Sequence, residues 1–148
     1  MLAIVNAAAM AYRGVIPEDC WHEPYMSMED LRAAVSTGVK FWGYEMDGEL
    51  VGVMGIQPVR DVDLIRHAYV LPEHQRAGIG KTLLAHLKKL SARRVLVGTW
   101  TDATWAVRFY QRHGFKLLPR ERIEELLKTY WCISERQIET SVVLERDR

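Results

Sequence analysis

The chain has 148 residues, 49% hydrophobic and 26% charged, with a formal net charge of +1, a mixture expected of one globular domain spanning 1–148. Near-neutral charge gives no global field toward nucleic acid or an anionic membrane, and no apolar run reaches the ~20 residues of a membrane helix. Two cysteines, Cys20 and Cys132, are too few for a disulfide scaffold and have no metal-like partner spacing, so a cytoplasmic setting, small buried or half-buried roles for both and no bound metal are expected.

The opening MLAIVNAAAMAY carries no basic residue before its apolar part, unlike a signal sequence. Ile4, Val5, Ala8 and Tyr12 fall on one helical face, so residues 1–13 read as an amphipathic helix stopped by Gly14. An irregular stretch with Pro17 and Pro24 follows. Ser27 with Asp30 three residues on predicts a capped helix over 28–36, ended by Thr37-Gly38. Residues 40–46 and 50–57 read as strands joined by Asp47-Gly48, a strong hairpin signal, and 62–71 as a third strand. A helix over 79–92 has Leu83, Leu84, Leu87 and Leu90 on one face. A buried strand over 94–99 comes next, then a helix over 103–113 capped by Asp102 and stopped by Gly114. A short strand 115–118, a helix 120–130 and a strand near 137–145 complete an α+β pattern with a mixed sheet.

Between the third strand and the next helix the chain reads VLPEHQRAGIGKTLL. Glycines at the start of a helix let an anion approach its unpaired N–H groups and positive dipole end. Gly78 and Gly80 stand there, flanked by Arg76 and Lys81. A dinucleotide fingerprint would need a small residue at 83, where Leu83 stands, and a P-loop would need glycine at 75, where Gln75 stands. The run Gln75-Arg76-Ala77-Gly78-Ile79-Gly80 fits a third pattern, [Q/R]-x-x-G-x-[G/A].

On that run, and on TWAVRFYQRHGF with Tyr110 ahead of Gly114-Phe115, the chain resembles the GCN5-related N-acetyltransferase (GNAT) superfamily. The resemblance covers residues 1–118 well and the last 30 less well. It implies a mostly antiparallel twisted sheet flanked by helices, with acetyl-CoA as co-substrate between two splayed strands, here 62–71 and 94–99. Backbone groups of Ala68, Tyr69 and Val70 would pair with the pantetheine arm, and the run Gln75, Arg76, Ala77, Gly78, Ile79, Gly80 and Lys81 would hold the pyrophosphate. Acetyl transfer to an amine needs a donor for the developing oxyanion, which the backbone N–H near Val70 suits. It also needs a proton for the leaving thiolate, the family's role for Tyr110. An amine of pKa about 10.4 must lose a proton before attack. His67 is the base candidate by chemistry and place, beside the alternative of a hydrogen-bonded structural histidine. Several relatives carry a glutamate where Gly98 stands, and an asparagine where Ala103 stands.

The acceptor, a small-molecule or peptide amine, is expected opposite the cofactor, near Trp21, His22, Tyr25 and Trp100. His22, His86 and His113 lack metal-like spacing, and His74 is expected in a solvated loop. The family's sheet begins with a strand ahead of its first helix, and no residues remain for it here. Either the chain starts inside the domain or it lacks that strand. The bare edge predicts a homodimer, with segment 136–145 a candidate to organise the interface. The alternative from another class is a degenerate domain that binds acyl-CoA without turnover.

Overall fold

Asp47 and Gly48 both take positive φ, +52° and +80°, the two-residue turn whose twist matches that of the flanking strands. They join β1 (Lys40–Met46) to β2 (Glu49–Val59) as an antiparallel hairpin. The structure, a computed structural model, describes residues 1–75 and 77–147. β3 (Val62–Val70) returns antiparallel along β2. α3 (Ile79–Leu90) then crosses to β4 (Arg94–Trp100), which runs parallel to β3. β6 (Ser141–Arg146) lies antiparallel between β4 and β5 (Phe115–Leu117), giving the order β1-β2-β3-β4-β6-β5.

The remaining helices are α1 (Leu2–Ala9), α2 (Met28–Ser36), α4 (Thr104–Arg112), α5 (Arg120–Tyr130) and α6 (Glu135–Glu139). α1 stops at Ala9, and a single 3-10 turn carries the chain on to Tyr12. The strand expected near 137–145 is divided. Ser134 and Gln137 form a capping box that holds 135–139 helical, and extended structure begins only at Ser141. Asp102 does not cap α4; Ala103 stands at the N-cap, with no side-chain hydrogen bond there. Cys20 is half-buried as expected, but Cys132 is exposed.

The main core gathers β-strand valines and leucines against α3 and α5. Ile79, Leu83, Leu84 and Leu87 of α3 are buried, each contributing roughly 1.5–3 kcal/mol by leaving water. A smaller cluster of Ile4, Val5, Met26 and Val53 fixes α1 to β2. Asn6 ties the loop before α2 to α1: its Nδ2 donates to the Met26 carbonyl at 2.9 Å, and Met26 N–H donates to its Oδ1 at 2.8 Å. That tether sets where Tyr25 lies. β1 stands at one edge of the sheet, paired on one side only. β6 pairs with β4 along 141–145 and with the short β5 along 144–146. Among the described residues no helix is long and apolar enough to cross a membrane.

Candidate active site

β3 and β4 part company halfway. Val62–Ile65 pair with Arg94–Val97, and no pairing between the two strands continues beyond Ile65. On the β2 side, Val53 faces Tyr69 and Gly55 faces Arg66, so His67 and Ala68 together oppose Met54. This two-against-one count is a β-bulge, which bends and twists the strand that carries it. His67 takes φ +55° there. The bend leaves the stretch from His67 to Val70 without β4 as a neighbour. Two pockets fill the wedge, of about 420 Å³ and about 160 Å³, and Tyr12, Ala68, Tyr69 and Tyr110 line both.

The larger pocket runs from the wedge to the start of α3. Ala68, Tyr69, Val70, Gln75, Gly78, Ile79, Gly80 and Lys81 line it, together with Tyr12, Trp105, Phe109, Arg112 and His113. Ala77 is exposed and does not line it, and Arg76 lies outside the described residues. Gln75 Nε2 donates to the Val70 carbonyl at 3.1 Å, tying the loop to the end of β3. Gly78, at φ +79°, is the N-cap of α3 and has open space where a Cβ would be. A Cβ on Gly80 would stand 3.2 Å from the Phe109 ring, so this glycine also lets α3 and α4 close together.

The N-terminus of α3 suits an anion. The backbone N–H of Thr82 bonds to the Gly78 carbonyl, and among the described residues those of Ile79, Gly80 and Lys81, in the first turn, find no backbone acceptor. α2 and α6 fill the same need with capping boxes, but no side chain caps α3. Lys81 and Arg112 line the same cleft, and among the described residues no Asp or Glu does. His113 is held below its ordinary pKa by burial and then by Lys81, Arg112 and Lys88. Unfilled N–H groups amid clustered cations match the phosphates of a CoA-type ligand. The apolar stretch between Ala68 and Phe109 matches its pantetheine arm.

The smaller pocket is the acceptor candidate. Tyr25, Arg66, His67, Thr99, Trp100 and Trp131 line it with the shared tyrosines. Trp21 and His22 do not. They reach it only through Tyr25, with ring centroids at 5.8 and 6.2 Å. Trp42 is far from it, exposed on β1 against His86 of α3 at 4.6 Å. His74, expected in solvent, is half-buried at the larger cleft. At position 98 a Cβ would stand 3.2 Å from the Trp131 indole. Trp131 therefore occupies the space that a glutamate on this strand would need.

Tyr110 is buried where the pockets meet, and burial, then Tyr12, raises its phenol pKa well above the ordinary value. It therefore stays protonated at neutral pH. Burial, then the Arg66 charge, lowers the His67 imidazole to about 4, so it is uncharged there. Tyr12, Trp105 and Phe109 escaped the sequence reading as site residues. A signal existed for two of them, since Trp105 and Phe109 share a helical face with Arg112 and His113. Tyr12 reads in sequence only as part of the apolar face of the first helix. In the structure its ring meets Trp105 at 5.1 Å and Tyr69 at 6.5 Å, closing the cleft.

The chain is similar to several known proteins. Human N-acetyltransferase 8 is 34% identical over 89 residues, covering 53% of this chain and 39% of that protein. The Escherichia coli peptidyl-lysine N-acetyltransferase YiaC is 26% identical over 110 residues, covering 74% and 73%. Thus the chain spans well under half the length of the first of these relatives and about three-quarters of the second. The PaiA N-acetyltransferase of Thermoplasma acidophilum, solved with coenzyme A, superposes with a TM-score of 0.72 at 19% identity, over 99% of this chain and 90% of that one. A GNAT acetyltransferase of Elizabethkingia anophelis with acetyl-CoA bound gives 0.64 at 19% identity, over 90% and 91%. Residues 37–117 match the Acetyltransferase (GNAT) domain family, more than half of the chain, and the protein belongs to that family.

Proposed function

We propose that this protein is an N-acetyltransferase that passes the acetyl group of acetyl-CoA to a primary amine. The observation that carries the reading is the parted β3–β4 wedge, which opens onto the uncapped, cation-flanked start of α3. When bound, acetyl-CoA supplies a thioester open to attack by an amine. The backbone at Ala68, Tyr69 and Val70 orients the acyl end, and its N–H near Val70 faces the carbonyl oxygen as charge builds there. The start of α3, from Gly78 to Lys81, with Arg112, holds the phosphates. Tyr110, buried and protonated, gives its proton to the departing thiolate. His67, uncharged and weakly basic, accepts the amine proton in passing and hands it to solvent. A second copy covering the open β1 edge belongs to the same proposal, and light scattering at low micromolar concentration checks it.

Incubation with acetyl-CoA and a library of amines, reading free CoA thiol and product mass together, tests the activity. Thiol release that depends on an amine, with one acetyl group gained by that amine, is the expected result. Tight acetyl-CoA binding without release for any amine would favour a binding-only domain.

A further inference from the structure

The smaller pocket has an unusual charge balance for a site that receives an amine. Amines are cations at neutral pH, and pockets built to draw them in offer carboxylates. Among the described residues no Asp or Glu lines this pocket, and none pairs with Arg66, which does line it. Arg66 is half-buried. Its Nη1 donates to Gln57 Oε1 at 3.0 Å, and Gln57 Nε2 donates to the Thr37 carbonyl at 3.0 Å. Gln57 is itself buried, so the guanidinium is held from behind by a fixed amide. This uses one of its five donors and none of its charge. A partly buried cation without an anionic partner is costly, and a fork of N–H groups matches a carboxylate best.

We propose that the acceptor is a small amine bearing its own carboxylate, an amino acid or close analogue, and that Arg66 binds this carboxylate. The inference rests on the acetyltransferase reading above. Size agrees: about 160 Å³ is the space of roughly five waters, room for a compact amino compound. The aromatic walls of Tyr25, Trp100 and Trp131 suit an apolar side chain. The charge also helps the chemistry. A cation beside the bound amine disfavours its protonated form, and only the neutral amine attacks.

The test compares phenylalanine with phenylalaninamide, and leucine with leucinamide, at saturating acetyl-CoA. The twenty amino acids and β-alanine serve as the wider panel. The amides have the less basic amines, hence more neutral amine at pH 7.5, so a preference for the acids cannot come from basicity. A kcat/KM at least tenfold higher for an acid than for its amide is expected. Arg66→Met should bring that ratio to within about threefold of one, mainly by raising KM for the acid. Arg66→Lys, which keeps the charge but loses the fork, should fall between, and it carries the test if Arg66→Met does not fold. Amides acetylated as well as acids, a ratio indifferent to both variants, or no amino acid acetylated would each overturn the proposal. The acetyltransferase reading is judged separately. It survives if any other amine is acetylated, and it falls if titration detects no acetyl-CoA binding.

Discussion

Replacing His67 by Asn should flatten part of the acid sensitivity of the fold. His67 sits in the β3 bulge at φ +55°, with its ring 5.7 Å from that of Phe41. Asn tolerates this left-handed backbone and does not titrate. Burial, then Arg66, takes the imidazole from 6.5 to about 4. Between those values the unfolded chain binds a proton that the native chain does not. Stability from His67 is therefore complete above pH 6.5 and is lost as pH falls toward 4. The full difference, 6.5 minus 4 at 1.36 kcal/mol per unit, is about 3.4 kcal/mol. Partial solvent access of the ring reduces this to about 2 kcal/mol. Urea unfolding of both proteins at pH 7 and pH 4.5 measures it. The wild type should lose about 2 kcal/mol more than the variant over that interval. Equal losses would mean that the native fold does not lower the proton affinity of the imidazole, and would refute the burial argument.

Tyr110→Phe keeps the ring contacts with Phe109 and Phe115 and removes only the proposed acid. Steady-state kinetics should show turnover down by roughly 10²-fold, with acetyl-CoA affinity by titration within about threefold of wild type. Gly98→Ala puts a methyl 3.2 Å from the Trp131 indole, which must then shift by a few tenths of an ångström, so the change in stability by urea unfolding should be set by Trp131 and be absent in the Trp131→Ala background. Gly78 has open space around it and positive φ, which Asn and Asp both tolerate. Of the two variants, Gly78→Asp should bind acetyl-CoA at least tenfold more weakly than Gly78→Asn by calorimetry, because only Asp sets a carboxylate against the phosphates.

The elements legible in sequence were those with their own local signal. Asp47-Gly48 specified its hairpin, Ser27 with Asp30 its helix, and Gly78-Ile79-Gly80 the start of α3, because each acts within a few residues. The α+β class followed from their order. Residues 137–140 misled because their alternation resembles a strand, while the capping box of Ser134 and Gln137 outweighs so weak a pattern. The bulge was not legible, since it depends on the register of β3 against β2. Nor was the charge of the acceptor pocket. Arg66 becomes a site residue only because β4 turns away beyond Val97 and Gln57 fixes the guanidinium from the next strand. The position of Trp131 over Gly98 joins residues from α5's end and β4, a contact no local pattern encodes.

Amide hydrogen exchange with and without acetyl-CoA tests the site most directly. Among the described residues the amides of Ile79, Gly80 and Lys81 find no backbone acceptor, and the stretch Ala68–Val70 has no strand paired on the β4 side. Saturating acetyl-CoA should slow exchange in both segments together, while the β1 edge changes little. Protection absent from both segments, or concentrated elsewhere on the sheet, would contradict the placement of acetyl-CoA in the β3–β4 wedge.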